Sequence, residues 1–146
     1  MAIDNTQFSI AVHVLTGVAK YGQVSSIKLA ESVNANPIFI KRIVGVLVKN
    51  GLLLSFRGRN GGNQLACDAQ EISLLDVYRA VNAPVLFSIH QYPKVASCVI
   101  SSNIQESLSD ILSKAQQDFE KQLSYITVQQ ILDDVVLRDQ LLNQDK

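Results

Sequence analysis

The stretch from Asn36 to Cys67 restricts the possible folds most, because a helical pattern there stops at a glycine and two short strand-like runs follow. Asn36 is a favoured residue before a helix and Pro37 a favoured first helical residue, so the pattern predicts a helix that ends at Gly51. The runs LLLSF and NQLAC come next, separated by the turn RGRNGG. A hairpin directly after such a helix predicts a wing.

This predicted helix has two faces of different chemistry. Four apolar residues at helical spacing form a stripe for the core, and they are Ile40, Ile43, Val44 and Leu47. The second face has no apolar row behind it, and it consists of Ile38, Lys41, Arg42 and Gly45. A shorter helix, which begins at the pair Ser25 and Ser26 and ends at the sequence NANP, precedes it. Two helices joined by a turn of about four residues, the second with a basic N-terminal face, indicate a helix-turn-helix.

Charge is distributed unevenly along the chain, although the formal net charge is zero. Between Glu31 and Asp68 there is no acidic residue. The same stretch contains five bases, which are Lys41, Arg42, Lys49, Arg57 and Arg59. From Asn103 onwards the sequence has eight acids and four bases. The first stretch is therefore a positive patch, and the last one is expected to be a solvated acidic helix surface.

The basic helix face and the hairpin turn together indicate double-stranded DNA as a partner. We expect Arg59 to reach the minor groove and Arg57 to lie nearer the phosphates. Ile38 and Lys41 would approach base edges, and Arg42 would contact a base or a phosphate. The candidate DNA-binding residues are Asn36, Pro37, Ile38, Lys41, Arg42, Arg57, Arg59 and Asn60. One alternative is a turn whose arginines are merely solvated, and another is a phosphate-binding loop, which lacks here the lysine and following helix that it needs.

Length and composition suit one domain, or one domain with an appendage, because 47% of the 146 residues are apolar. No apolar run is long enough for a membrane span, and Asp4 stands where a signal peptide needs positive charge. We therefore expect a soluble cytoplasmic protein. The two cysteines, Cys67 and Cys98, are too few for a disulfide scaffold or an all-cysteine metal site. With only His13 and His90 as further ligands, we expect no structural metal and no cofactor.

The remaining sequence predicts helices with one long interruption. A first helix over residues 5–20, with Asp4 or Thr6 as its cap, is apolar on two sides. The motif SLLD resembles a capping box and predicts a helix that stops at the sequence NAP. Residues 83–102 are irregular and largely apolar, too long for an ordinary connection. Ser102 would then cap a helix of about 22 residues, roughly 33 Å long.

The long helix carries an apolar stripe that predicts a contact with a second copy of the chain. The stripe consists of Ile104, Leu108, Ile111, Leu112, Ala115, Phe119, Leu123 and Ile126. It is longer than the core of one such domain needs, so homodimerisation through it is expected. The alternative is a core helix within one chain. A last amphipathic helix over residues 127–137 would fold back on it, and the tail after Leu142 would fray.

Three stretches of the sequence resemble the Rrf2 family of bacterial winged-helix transcription regulators. They are SIKLAESVNANPIFIKRIVGVLVKNGLL, SFRGRNGGNQLA and EISLLDVYRAV. The resemblance extends over nearly the whole chain. It implies a homodimer that reads a palindromic operator through two wing and helix units. It also implies a winged helix-turn-helix domain over residues 1–82, a sensing segment over 83–102, and a dimerisation helix with a C-terminal helix over 103–146.

The chain departs from the family in its sensing segment. Members that bind an iron-sulfur cluster carry three cysteines there, whereas this segment contains only Cys98. One thiolate cannot hold a cluster of the usual ligation, so the chain resembles the cluster-free branch of the family. Cys98 and His90 are the candidate sensing residues, for an oxidant or a small-molecule effector. Because the neighbours of Cys98 are apolar, an inert buried thiol and a redox sensor both stay open.

The sequence thus predicts a mainly α fold with a small β-hairpin wing, a winged helix-turn-helix followed by a long dimerisation helix. The predicted function is a dimeric DNA-binding transcription regulator, and the family analogy makes it a repressor. Two other functions stay open: a thiol-based redox regulator, and a winged-helix module whose basic face meets an acidic protein. An enzyme with Cys98 as nucleophile and His90 as base is least favoured, because no orienting third residue is indicated. His13, among apolar helix residues, is expected to be a core or interface histidine.

Overall fold

A computed structural model of the chain describes residues 6–144. Within that range the chain forms six α-helices, one short 3₁₀ helix and a two-stranded antiparallel sheet. The elements are α1 (Gln7–Tyr21), α2 (Ser26–Val33), α3 (Pro37–Lys49), β1 (Leu53–Phe56), β2 (Gly62–Leu65), the 3₁₀ helix (Ala69–Glu71), α4 (Leu74–Ala80), α5 (Val99–Ser124) and α6 (Val128–Gln144). The predicted mainly α fold with a small β-hairpin is confirmed.

The described residues divide into two compact units. The first combines residues 6–83 with residues 123–144, and the second consists of residues 84–122. The functional division at residues 82 and 102 stays a prediction, because packing alone does not say what a segment does. None of the described helices is both long and apolar enough to cross a membrane.

The helices of the first unit begin where local capping chemistry predicts. Ser25 caps α2 with its side-chain oxygen, and Asn34, in the left-handed conformation, ends that helix. The side-chain oxygen of Asn36 accepts the backbone N–H of Ile38 at 2.8 Å, and Pro37 is the first residue of α3. At α1 the prediction is only partly tested. Thr6 precedes the helix without a side-chain cap, and Asp4 lies outside the described residues.

The core of the first unit is built around α1 and α3. The stripe predicted for α3 is buried as a whole, because Ile40, Ile43, Val44 and Leu47 are each at most 5% exposed. The residues of α1 that face it are Ala11, Val14, Leu15 and Val18. Each large aliphatic side chain buried in this way contributes about 1.5–3 kcal/mol. The packing therefore fixes which face of α3 remains outside.

The hairpin follows α3 after a short turn. β1 and β2 pair antiparallel, with Leu53 opposite Leu65 and Phe56 opposite Gly62. Two glycines of the turn are needed for different reasons. Gly58 has φ +95°, which favours glycine, and a Cβ on Gly61 would lie 2.3 Å from the carbonyl oxygen of Phe56. The turn that presents the arginines is therefore fixed by its glycines.

The predicted capping box of α4 is confirmed, but the predicted start of the long helix is wrong. Ser73 and Asp76 each accept the other's backbone N–H, at 3.1 and 2.9 Å. The long helix α5 begins at Val99 and has 26 residues, so Ser102 lies inside its first turn. The cause is local: Cys98 takes the preceding position, and its sulfur accepts the N–H of Ser101 at 3.5 Å.

The last helix packs against α1 and the 3₁₀ helix within the first unit, and its expected contact with α5 stays a prediction. Backbone pairing holds the start of this helix in place. The N–H of Val128 donates to Ile72 at 2.9 Å, and the N–H of Leu74 donates to Ile126 at 2.8 Å. Val128 is fully buried as a result. α6 also continues to Gln144, beyond the residue at which the tail was expected to fray.

Candidate nucleic-acid interface

The outer face of α3 exposes an apolar residue and two bases near its N-terminus. Ile38 is 75% exposed, although it is a large aliphatic side chain at the start of a well-packed helix. Lys41 and Arg42 are exposed on the same face, and the guanidinium carbon of Arg42 lies 5.8 Å from the ring centre of Phe39. Pro37 is exposed as well. This face matches the predicted one and has the shape and chemistry of a helix that enters a major groove.

Asn36 has a structural role that the sequence already indicated. Its side-chain oxygen is occupied by the backbone N–H of Ile38. A phosphate oxygen would accept from its amide nitrogen, and the second lone pair of its side-chain oxygen stays available to a donor on a base. Asn36 remains exposed, so both uses are compatible.

The turn between the strands exposes the predicted wing residues together. Arg57, Arg59 and Asn60 are all exposed at the tip of the hairpin. Since β1 follows α3 almost directly, the wing and the outer face of α3 belong to the same compact unit. The helix α3 and the wing therefore carry their basic side chains on one compact unit, as a winged-helix DNA-binding protein requires.

A buried asparagine that the sequence analysis missed attaches the wing to the body of the first unit. Asn63 is 1% exposed, and its amide nitrogen donates to the carbonyl of Val24 at 2.9 Å and to the hydroxyl of Ser26 at 3.2 Å. The backbones of Asn63 and Val24 also exchange two hydrogen bonds, of 2.8 and 3.0 Å. An asparagine in a strand-like run was the available signal, because asparagine is a poor strand former.

The wing tip has a second attachment through Gln23, which the sequence did not indicate. The side-chain nitrogen of Gln23 donates to the carbonyl of Asn60 at 2.7 Å, and its side-chain oxygen accepts from Gln64 at 2.6 Å. Gln23 lies just after the end of α1. The orientation of the tip thus depends on the segment that joins α1 to α2.

The bases of the positive patch are not neutralised within the part of the chain that the structure describes. Ion pairs among the described residues join Lys94 with Glu106, Lys114 with Asp118, and Arg138 with Asp134. All of these residues follow the wing in sequence. Between residues 31 and 68, therefore, none of the five basic side chains has to break an ion pair before it binds a phosphate. This favours binding to a polyanion.

The predicted sensing segment is held to α5 by polar contacts inside the second unit. The side chain of Gln105 donates to the carbonyls of His90 and Tyr92, at 2.9 and 3.2 Å. Lys94 forms an ion pair with Glu106, and this hydrogen bond lowers the pKa of the Glu106 carboxyl. The His90 ring lies 6.2 Å from that of Tyr92. The sensing segment is therefore attached along α5 by hydrogen bonds and an ion pair, and it is not packed into a core.

The two cysteines differ in exposure. Cys98 is exposed directly before α5, whereas Cys67 is half-buried after β2. Burial raises the pKa of the Cys67 thiol, and the nearby carboxylates of Glu71, Asp76 and Asp68 raise it further. Cys67 therefore packs partly against the core of the first unit. No hydrogen bond joins the side chains of Cys98 and His90 among the described residues.

The residues predicted for dimerisation lie along α5 with graded exposure. Leu123 is buried in the first unit, and Ile111 is 62% exposed in the second. Ile104, Leu108, Leu112 and Phe119 are half-buried, and Ala115 is exposed. Val99 and Ile100, at the start of α5, are exposed as well. The second unit thus leaves much apolar surface uncovered in a single chain.

The chain matches a known family model over most of its length. The model, Rrf2, is described as an iron-dependent transcriptional regulator and matches residues 4–134. YwnA of Bacillus subtilis (strain 168), an HTH-type transcriptional regulator by name, is 32% identical over 129 residues, which cover 88% of this chain and 96% of YwnA. The HTH-type transcriptional regulator NsrR of Oceanobacillus iheyensis is 30% identical over 129 residues, or 87% of this chain and 86% of NsrR.

A solved structure shares both the fold and a moderate sequence similarity. The crystal structure of a transcriptional regulator from Lactobacillus plantarum superposes with a TM-score of 0.77 at 28% identity. The match covers 96% of both chains. The winged-helix architecture inferred from the hairpin and α3 is confirmed by this likeness.

The iron dependence in the family description can be tested against the residues of this chain. The two cysteines belong to different compact units, Cys67 to the first and Cys98 to the second. Across residues 6–144 no group of three or more His, Cys, Asp or Glu side chains could hold a metal ion. The described residues do not fit an iron centre of the usual ligation.

Proposed function

Because the chain belongs to the Rrf2 family of transcriptional regulators, we propose that it represses transcription as a homodimer bound to a palindromic operator. The observation that carries the proposal is the pairing, within one compact unit, of an exposed basic face on α3 with an exposed arginine-bearing wing. Such a protein works where bacterial DNA is, in the cytoplasm. A bound regulator hinders RNA polymerase at the same site without acting on a substrate.

The proposed roles of the individual residues follow from the difference between the major and the minor groove of DNA. Ile38 and Lys41 lie on the first turns of α3 and would meet base edges in the major groove, with Ile38 against a thymine methyl group. Arg42 would contact a base or a phosphate. Arg59, at the tip, would enter the minor groove, and Arg57 would contact phosphates. Asn36, Pro37 and Asn60 would fix the approach of the backbone.

The homodimer is proposed from the uncovered apolar surface of the second unit. Ile100 and Ile111 are 68% and 62% exposed and lie on the same face of α5, because eleven residues correspond to about three turns of helix. A soluble monomer seldom leaves such residues in contact with water over a continuous surface. Covering them with a second α5 would also place two DNA-binding units on one scaffold, which is the geometry that a palindromic operator requires.

Arg59→Ala tests the DNA-binding half of the proposal. Genomic fragments retained by the purified protein supply the operator, and fluorescence anisotropy measures the affinity at fixed salt. Loss of the groove contact should weaken operator binding by about 1–3 kcal/mol. Arg138→Ala, which removes the same charge from α6, is the matched control and should have little effect. Equal affinities for wild type and Arg59→Ala, with an intact fold, would contradict the proposal.

A thiol response through Cys98 is the second candidate function, with the same DNA binding. It is supported by the exposure of the sulfur and by the N–H of Ser101, which points at it. Oxidation or alkylation there would place bulk or charge at the first turn of α5. If α5 sets the spacing of the two DNA-binding units, the modification would change that spacing, and the protein would dissociate from its operator. His90 would contribute only indirectly, since no hydrogen bond links it to Cys98 within residues 6–144.

A further inference from the structure

A cavity of about 430 Å³ lies against α1 and α6 in the first unit, and none of its lining residues belongs to the proposed DNA-binding set. Its apolar wall includes Val12 of α1 together with Ile131 and Leu132 of α6. Its polar side includes His13, whose ring nitrogen Nε2 lies 2.9 Å from the hydroxyl of Ser32. An apolar wall with a few convergent polar groups is the usual construction of a small-molecule site, and the volume is in the range of such sites.

A second cavity of about 280 Å³ adjoins the first one. Both are lined by Gly17, Tyr21 and Ser32, so they are neighbours along α1, and we call the two together the α1 groove. Gly17 therefore lies where the two cavities meet. The shared residues connect a volume near α6 with one near the segment that follows α1.

The charged residues of the α1 groove are all basic. Lys20 lines the larger cavity and Lys28 the smaller one, whereas no aspartate or glutamate lines either. Neither lysine forms an ion pair within the described residues. The ammonium of Lys20 lies 5.7 Å from the ring centre of Tyr21, so it stays at the rim of the groove. A ligand with an anionic group therefore fits this groove better than a neutral or cationic one.

The same groove is connected to the wing. Gln23 and Val24 line its smaller cavity. As described above, Gln23 holds the carbonyl of Asn60 at the wing tip, and Val24 pairs with the buried Asn63. A ligand that shifts Tyr21 or Gln23 would consequently act on the two attachments of the hairpin. A smaller cavity of about 220 Å³ lies beside the sensing segment, and none of its lining residues belongs to the segment after α1.

We propose that the α1 groove binds a small organic carboxylate with an apolar body, and that its occupancy changes the position of the wing. The apolar body would lie against Val12 and Leu132, with the carboxylate near Lys20 and a hydrogen bond to the pair of His13 and Ser32. The regulatory half of this proposal rests on the proposed function. The binding half is independent of DNA.

Two acids and their amides test the binding half. Backbone amide signals of the full chain are followed by NMR during titration with indole-3-acetate, indole-3-acetamide, 4-methylpentanoate and 4-methylpentanamide, to millimolar concentration. At least one acid should shift the signals of Gly17, Tyr21 and Ser32. It should bind about twofold to fivefold more tightly than its amide, the size of one exposed ion pair. Lys20→Gln should remove this preference.

Substitutions at Gly17 locate the site. A Cβ at this position would lie 3.4 Å from Leu29, an ordinary contact, so Gly17→Ala should fold and keep binding. Gly17→Leu should fill the junction of the two cavities and abolish the shifts. Folding of both variants is checked by the spectrum of the remaining chain. No shift along α1 with either acid, equal binding of acid and amide, or unchanged binding by Gly17→Leu would each overturn the proposed site.

The effect on DNA tests the regulatory half. Saturating acid should change operator affinity at least about threefold in the wild type, a free-energy difference within the usual range of coupling between sites. Gln23→Ala should lose this response but retain ligand binding, because Gln23 does not line the larger cavity. If saturating acid leaves the operator affinity of the wild type unchanged, the proposed coupling is wrong, although the proposed ligand site would still stand. If the protein binds no operator even without acid, the proposed function fails, and the titrations still decide the site.

Discussion

Asn63→Ala should destabilise the protein more than any exposed change in the wing, because this side chain joins the hairpin to the rest of the first unit. The amide is 1% exposed and donates two hydrogen bonds, to Val24 and Ser26. Alanine keeps both backbone hydrogen bonds with Val24, so only the side-chain contribution is removed. The substitution therefore isolates one contact without deleting the hairpin pairing.

The expected magnitude follows from opposing contributions. Loss of two hydrogen bonds costs about 2 kcal/mol, and the small cavity left by the amide adds about 1 kcal/mol. The side-chain oxygen Oδ1 is buried without a hydrogen-bond partner among the described residues, so its removal returns about 1 kcal/mol. The net loss of unfolding free energy is about 2 kcal/mol, equivalent to about 4–8 °C in Tm for a chain of this length.

Urea unfolding followed by circular dichroism, at one fixed protein concentration, measures the difference. Asn60→Ala is the matched control: it makes the same chemical change at an exposed position, and Gln23 binds only its backbone carbonyl. That variant should lie within about 0.5 kcal/mol of the wild type. If Asn63→Ala and Asn60→Ala are equally stable, the side chain of Asn63 does not hold the wing, and the reasoning fails.

Three further outcomes are expected from the interface, the long helix and the thiols. Lys41→Ala should change which operator sequences are preferred, because it removes a contact to a base edge, and binding to random sequences measured in parallel reveals this. Ile111→Glu should give a folded monomer in sedimentation with weaker operator binding, since simultaneous engagement of two half-sites is lost. Cys98 should react with iodoacetamide before Cys67 at neutral pH, because the raised pKa of Cys67 keeps its thiol protonated, and peptide mass spectrometry measures the order.

Each of these outcomes has a control and a result that contradicts it. If Lys41→Ala weakens binding to operator DNA and to random DNA by the same factor, Lys41 only positions α3. Ser113→Glu adds the same charge to an exposed polar position of α5 and should stay dimeric. If the Ile111→Glu variant is also dimeric, the surface around Ile111 is not the dimer interface. Alkylation of Cys67 first would contradict the burial argument. Cys98→Ser protein should bind operator normally but no longer respond to hypochlorite.

The parts of the structure that the sequence predicted depend on neighbouring residues. Asn36 and Pro37 begin α3, Ser73 and Asp76 form the capping box, and the glycines of the hairpin turn act within a few residues of themselves. The predicted start of α5 was wrong because serine is a favoured cap, and the local rule chose Ser102 although Cys98 precedes the helix and the chain is already helical at Val99. Local preference alone does not choose between adjacent starting points.

The parts that could not be predicted depend on pairs far apart in the chain. Asn63 meets Val24 and Gln23 meets Asn60, separations of 39 and 37 residues, and periodicity carries no information about such partners. The helix α6 was recognised as amphipathic, but its apolar stripe fits any apolar surface of suitable width. Only the backbone pairing of Val128 with Ile72 decides that this surface is α1.

The return of α6 to α1 has a consequence for the order in which the protein is made. Val128 belongs to a buried cluster whose other members all precede residue 84, so a growing chain must pass through all of α5 before this cluster can close. At ordinary rates of synthesis the stretch from Ala83 to Val128 takes about 2–9 seconds. During that interval the side of α1 that α6 will cover stays open, because α6 has not yet been made. A chain cut short within α5 would consequently keep this apolar side of α1 exposed to water and to proteases.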